Sequence, residues 1–206
     1  MKGVNNVQIK DCSFENLHTG AYANLGKGVC ADQASFIVDK NGQTGVGCVF
    51  NGFQDAIRSI GAFTGSSAKT IRIENSDSTN NRHGIYLMLA DNPVIKNNTL
   101  ITPSLPSFVN DPAQSSLDDP RAQSRGYGIY LNCVSHFTLE ENALKGGIGF
   151  DRGIVVNESG INSKEVRRNQ VDGYFVGMTA IGVNQDRQTN TGLVYQCNEL
   201  SSSTTF

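Results

Sequence analysis

One short pattern returns along this chain: apolar, any, apolar, any, any, Asn or a small residue, any, apolar. It reads Val7-x-Ile9-x-x-Cys12-x-Phe14, Val46-x-Cys48-x-x-Asn51-x-Phe53, Ile71-x-Ile73-x-x-Ser76-x-Ser78 and Pro93-x-Ile95-x-x-Asn98-x-Leu100. It continues as Phe137-x-Leu139-x-x-Asn142-x-Leu144, Lys164-x-Val166-x-x-Asn169-x-Val171 and Leu193-x-Tyr195-x-x-Asn198-x-Leu200. A second element follows most copies, a small residue leading a short apolar strand. Its copies are Gly20-Ala21-Tyr22-Ala23, Ala56-Ile57-Arg58-Ser59, Gly84-Ile85-Tyr86-Leu87, Gly128-Ile129-Tyr130-Leu131, Gly153-Ile154-Val155-Val156 and Ala180-Ile181-Gly182-Val183. Self-similarity at a roughly fixed period is the signature of a solenoid, in which each repeat buries its apolar face only against its neighbours. The alternation is strand-like, no stretch carries sustained helical periodicity, and Leu-x-x-Leu-x-Leu spacing is absent. The expectation is an all-β, single-stranded parallel β-helix of about six to seven coils.

The pattern spans the 206 residues as one domain, with a loop insertion at about 101–125. Met1 runs directly into the pattern, and the last copy ends shortly before Phe206. A solenoid needs caps on its outer coils, so the expectation is a segment incomplete at both ends, its signal peptide not included. The 22 glycines and many asparagines suit a turn-dense fold, because both tolerate left-handed backbone. A formal charge of −2 gives no electrostatic case for nucleic acid. No apolar run is long enough to cross a bilayer as a helix, so membrane insertion is not expected. The cysteine spacing contains no C-x-x-C pair, which argues against zinc. The thiols read as small side chains stacked in the solenoid, and neither a metal nor another cofactor is expected from them.

In a parallel β-helix, equivalent residues of successive coils stack about 4.8 Å apart. Aligning the copies therefore converts sequence into surface columns. The Asn column (Cys12, Asn51, Ser76, Asn98, Asn142, Asn169, Asn198) reads as a structural ladder of side-chain amides. One outward column on the first strand alternates in sign from Glu74 through Lys96 and Glu140 to Arg167 and reads as a solvated face. The other strand places Tyr22, Arg58, Tyr86 and Tyr130 in line. Flat aromatic faces pack on sugar rings and Arg pairs with uronates or sulfates, so these four are the expected ligand-binding residues. Beside them run Thr19, Asp55, His83, Tyr127, Arg152 and Thr179.

Candidates for catalysis are His83, Arg152 and the Asp118–Asp119 pair in the proline-rich insertion, a pair that also suits a calcium ion. Asp55 and Asp151 lie three coil steps apart, roughly 14 Å. That exceeds the separation of about 6.5–9.5 Å that an inverting glycosidase requires.

The Gly-Ile-Tyr-Leu strand followed by Φ-x-Φ-x-x-Asn-x-Φ resembles the right-handed parallel β-helix repeats of the pectate-lyase-like superfamily. The likeness is to the copper-protein-accessory and periplasmic repeat type, and to repeat regions of large secreted bacterial surface proteins. The resemblance implies the handedness of the coil and an extracellular or cell-surface location. It leaves activity open, because one fold serves lyases, hydrolases, epimerases and adhesins. Arg82-His83-Gly84 and Asp118-Asp119 echo polygalacturonase motifs, but the Arg-x-Lys of those enzymes is absent. The expected function is a non-catalytic segment that binds a polysaccharide or other glycan, or acts as a spacer. The alternative is a lyase or hydrolase of an acidic polysaccharide using His83, Arg58, Arg152 and the Asp118–Asp119 loop.

Overall fold

The computed structural model describes residues 1–17, 26–61, 70–102, 126–147, 152–186 and 188–201. Each coil contributes three short strands. The first coil holds β1 (Val7–Lys10), β2 (Ser13–Glu15) and β3 (Lys27–Asp32), and the second β4 (Phe36–Asp39), β5 (Val49–Asn51) and β6 (Asp55–Ile60). The third is built from β7 (Ile71–Glu74), β8 (Asp77–Thr79) and β9 (His83–Met88), the fourth from β10 (Val94–Lys96), β11 (Thr99–Ile101) and β12 (Tyr127–Asn132). β13 (Thr138–Glu140), β14 (Ala143–Lys145) and β15 (Arg152–Asn157) form the fifth. β16 (Lys164–Arg167), β17 (Gln170–Asp172) and β18 (Val176–Ile181) form the sixth. A short β19 (Gln185–Asp186) precedes β20 (Thr191–Gln196) and β21 (Glu199–Ser201), which open a seventh. Strands at equivalent positions pair in parallel to build three sheets, ordered β1-β4-β7-β10-β13-β16-β20, β2-β5-β8-β11-β14-β17-β21 and β3-β6-β9-β12-β15-β18. β19 joins the edge of the first sheet as an antiparallel partner of β20. This is the expected all-β parallel β-helix.

The alternation decides which side chains face inward. Ile71, Ile73, Ile95, Leu139 and Val166 are fully buried on the first sheet, and Ile57, Ile85, Ile129 and Ile154 form the matching stack on the third. The small residue at the head of the third strand has a steric cause. A Cβ at Gly84 would collide with Leu100 Cδ2, and one at Gly128 with Leu144 Cδ2. Bulk from the second sheet occupies the space that a side chain there would need.

The turn between the first and second strands repeats a left-handed residue: Asp11, Asn75, Asn97, Glu141, Arg168 and Cys197 have φ between 51° and 57°. Non-glycine residues adopt this region at a cost. Here it turns the next side chain inward. Asn98 Nδ2 donates to Asn142 Oδ1 at 3.0 Å, Asn142 Nδ2 to Asn169 Oδ1 at 2.9 Å, and Asn169 Nδ2 to Asn198 Oδ1 at 3.1 Å. Each Oδ1 also accepts the backbone N–H of the preceding rung. Ser76 continues the ladder by donating to Asn98 Oδ1 at 2.7 Å.

Three registers differ from the sequence reading. The second copy of the pattern is split: β4 supplies Phe36-x-Val38, and after an insertion at 40–47, closed by an Asn41 N–H bond to Val46 O at 2.9 Å, Cys48-x-Phe50 completes it. The rung is therefore Cys48, and Asn51 lies between Glu15 and Thr79 on the second sheet. The strand beside Arg58 is β3, which puts Cys30 there; Tyr22 and the rest of Gly20–Ala23 lie outside the described residues. In the sixth coil Met178, not Ile181, continues the inward stack, and Val176 rather than Thr179 follows Arg152 in the outward column. In each case a local run of suitable residues mimicked the repeat while the backbone ladder selected another.

The first-sheet charges form an ion ladder. Glu140, only 5% exposed, accepts from Lys96 Nζ at 2.8 Å and from Arg167 Nε. The Lys96 hydrogen bond first, opposed by partial burial and reinforced by Arg167, holds the Glu140 carboxyl below its usual range. A depressed folded pKa contributes stability above the unfolded carboxylate value of about 4.3, and loses it as pH falls through the folded value. Denaturation of Glu140→Gln should thus show a deficit at neutral pH that closes on acidification; a deficit independent of pH would contradict this.

Asn142→Ala removes two rung contacts and strips an acceptor from Asn98. It should cost about 1–3 kcal/mol in denaturant unfolding, against within about 0.5 kcal/mol for the exposed control Gln170→Ala. Equal midpoints for the two would remove the ladder from the account of stability.

Candidate functional site

The third sheet's outer face gathers the residues that sequence reading singled out. Pairing aligns Asp55, His83, Tyr127 and Arg152 in one column, and Arg58, Tyr86, Tyr130 and Val155 in the next. His83 Nδ1 lies 2.8 Å from Asp55 Oδ1, and both side chains are buried. The imidazole stacks in parallel on Tyr127, with ring centroids 4.3 Å apart. Tyr127 meets Tyr130 edge-on at 5.3 Å, and Tyr130 meets Tyr86 at 5.7 Å.

The stripe is not the exposed platform expected of it. Tyr86 is 4% exposed and Tyr130 1%. With Tyr127 and Val155 they make a second apolar cluster, packed against Ile60, Met88 and Ile181. Outward direction on a strand does not guarantee solvent. Arg58 and Arg152 are half-buried at the margins of the cluster. Asp118 and Asp119 lie outside the described residues. The Asp55 carboxylate orients an imidazole that is sealed from solvent, an arrangement suited to packing.

A different pair emerges from the corrected register. Cys12 and Cys48 are consecutive rungs of the Asn ladder. The backbone proves the equivalence: Val49 N–H bonds Cys12 O at 2.9 Å, as Ala143 bonds Asn98 O and Gln170 bonds Asn142 O at the same distance. The side chains follow suit. Cys12 Sγ donates to Lys10 O at 3.1 Å, matching Asn142 Nδ2 to Glu140 O two residues back. Cys48 Sγ donates to Ile9 O at 3.3 Å, matching Asn142 Nδ2 to Ile95 O one coil back. Burial pushes the Cys48 thiol up, opposed by hydrogen bonding to the Cys12 backbone. Sequence reading missed this pair because it assigned Asn51 to the rung. The signal was present in the alternation of Phe36-Ile37-Val38-Asp39.

A second imidazole, the exposed His136, lies 2.7 Å from Asp91 Oδ1, which also accepts from Ser135 Oγ at 2.6 Å. The Ser135 bond first, then His136, holds the Asp91 carboxyl below its usual range. Among the described residues no group of three or more His, Cys, Asp or Glu side chains converges as a metal site, and no helix is long and apolar enough to cross a membrane.

The family model described as periplasmic copper-binding protein (NosD) matches residues 1–196. The chain belongs to this family. No curated protein and no solved structure matches it. Membership agrees with the right-handed β-helix and supports a non-enzymatic role in the cell envelope. It corrects the expectation that no cofactor is involved, since the family is described as copper-binding. That expectation rested on close-spaced motifs such as C-x-x-C, whereas stacking coils bring together residues far apart in sequence.

Burial of the tyrosines sets the size of the next effect. Tyr130→Ala should destabilise by about 3–5 kcal/mol, as for a buried aromatic truncated to Ala. A melting temperature near that of the parent chain would restore the exposed-platform reading.

Proposed function

We propose that this chain is a non-catalytic solenoid of the cell envelope that holds copper as Cu(I) on the Cys12 and Cys48 rungs. One observation carries the reading: two thiols occupy consecutive positions of a ladder whose asparagine members touch directly, side chain to side chain, at 2.9–3.1 Å. Cu(I) is a soft ion that selects thiolate sulfur, and it accepts a small number of ligands. A pair of thiols is therefore a sufficient donor set, even though the described residues offer no larger cluster. The harder coordination shell of Cu(II), with several nitrogen and oxygen ligands, has no counterpart among them. The surrounding solenoid fixes both sulfurs against backbone carbonyls of Ile9 and Lys10.

Glycan binding rested on an exposed ring face, and Tyr86 and Tyr130 offer none. Lyase or hydrolase chemistry at His83 requires an imidazole that meets substrate, and His83 is 2% exposed. Neither reading is adopted.

The test is anaerobic competition of the reduced protein against the Cu(I) chelator bicinchoninate. The parent chain should retain one copper, with sulfur neighbours in X-ray absorption, while Cys12→Ser and Cys48→Ser lose it and Cys197→Ser keeps it. Equal retention by parent and Cys12→Ser/Cys48→Ser protein would overturn the assignment.

A further inference from the structure

We infer that Cys12 and Cys48 are also a redox pair, which closes to an intrachain disulfide on contact with a disulfide oxidant and then no longer holds copper. The first half stands on the geometry alone; the second rests on the copper reading above.

The register places the two residues where a disulfide can form. Stacked rungs lie about 4.8 Å apart, inside the Cα separation of about 4.4–6.8 Å that the bridge tolerates. Both residues occupy the same turn position of successive coils, Cys12 Sγ donating to Lys10 O and Cys48 Sγ to Ile9 O. Closing the bond draws the two Cβ atoms from the strand spacing of about 4.8 Å to the roughly 3.5–4.5 Å that a disulfide requires. The remaining cysteines have no such neighbour. Cys30 pairs across to Arg58, the Cys133 N–H donates to Asn157 O, and Cys197 sits beside Arg168. All three are exposed.

The ladder supplies a physical reason for the bond. From Ser76 to Asn198 successive rungs are tied by side-chain hydrogen bonds. The amide chain stops at Ser76, and the first two rungs carry thiols, which are weak donors and acceptors. A covalent link there does for the first coils what the amides do for the rest. The family is described as periplasmic, and the periplasm is a compartment where disulfides form and persist.

Accessibility sets the order of events. Cys12 is half-buried and Cys48 fully buried. The Cys12 thiolate attacks one sulfur of the oxidant disulfide; that S–S bond breaks, its far sulfur leaves as a thiolate, and a mixed disulfide forms on Cys12. Cys48 then gives up its proton and attacks the Cys12 sulfur, expelling the oxidant's second thiolate. Two cysteine thiols lose two protons and two electrons, and one oxidant disulfide becomes two thiols. With both sulfur lone-pair donors now joined in a neutral disulfide, no thiolate remains for Cu(I).

The experiment uses copper-free Cys30→Ser/Cys133→Ser/Cys197→Ser protein, which keeps only Cys12 and Cys48, treated with oxidised glutathione. Thiol counting under denaturing conditions should show loss of both thiols, and the intact mass should fall by two hydrogen atoms. The chain should stay monomeric without reductant. Adding Cys48→Ser should halt the reaction at a glutathione adduct on Cys12. Peptide mapping of oxidised parent protein should find the Cys12–Cys48 crosslink, independent of any variant. Two surviving thiols, stable adducts on both cysteines, or a crosslinked dimer would overturn the redox pair. Oxidised protein should retain no Cu(I) against bicinchoninate and regain it on reduction. Retention after complete oxidation would overturn the gating. If the disulfide forms while reduced protein never retains copper, the copper reading fails and the redox pair stands.

Discussion

The inward turn between the first and second strands of each coil holds the rest of the structure in register. A left-handed residue at Asn75, Asn97, Glu141, Arg168 or Cys197 is unfavourable in isolation for most of these side chains. It persists because the next residue is thereby aimed at the same residue one coil away. Asn fits the role because an amide is donor and acceptor at once. Its Nδ2 reaches a rung ahead and a carbonyl behind, while its Oδ1 takes the backbone N–H of the rung before. Buried polar groups are costly only when unpaired, and here the ladder pairs them along the axis. A slip of one residue would break this ladder and, because strand side chains alternate, turn the Ile and Val stacks outward.

The same ladder decides which side chains become neighbours. A parallel solenoid brings together residues one coil apart, so functional groups appear in columns rather than in short motifs. On the third sheet the column is aromatic and buried, with His83 locked between Asp55 and Tyr127. On the inward turn it is polar, and at its N-terminal end the amides give way to Cys12 and Cys48. Replacing Asn by Cys removes most of the hydrogen bonding but keeps the direction of the side chain. The turn thereby delivers two soft donors to adjacent positions without rearranging the fold, which accords with a family described as copper-binding.

Much of the architecture was legible from the chain. The period, the apolar alternation and the small residue before each third strand reflect local requirements that every coil must meet separately, so they recur in the sequence. The Asn column was visible for the same reason from Ser76 onward. Copies that contain an insertion were harder. Residues 40–47 divide the second copy, and the run Val46-Gly47-Cys48-Val49-Phe50-Asn51-Gly52-Phe53 imitates an undivided one. Composition alone cannot separate them, because both satisfy the apolar pattern; only the backbone bonds from Val49 to Cys12 and from Asp77 to Cys48 choose.

What the sequence by itself determined was the solenoid, since each coil repeats the same demands of burial and turn geometry. Tertiary structure decided which residues share a column and which columns are covered. Tyr86 and Tyr130 point outward as strand alternation requires, yet they are buried, because burial depends on packing from elsewhere in the fold. Cys12 and Cys48 are far apart in sequence and fall in unequal copies. They become neighbours because inter-strand hydrogen bonding, which is set by the whole sheet, aligns their rungs.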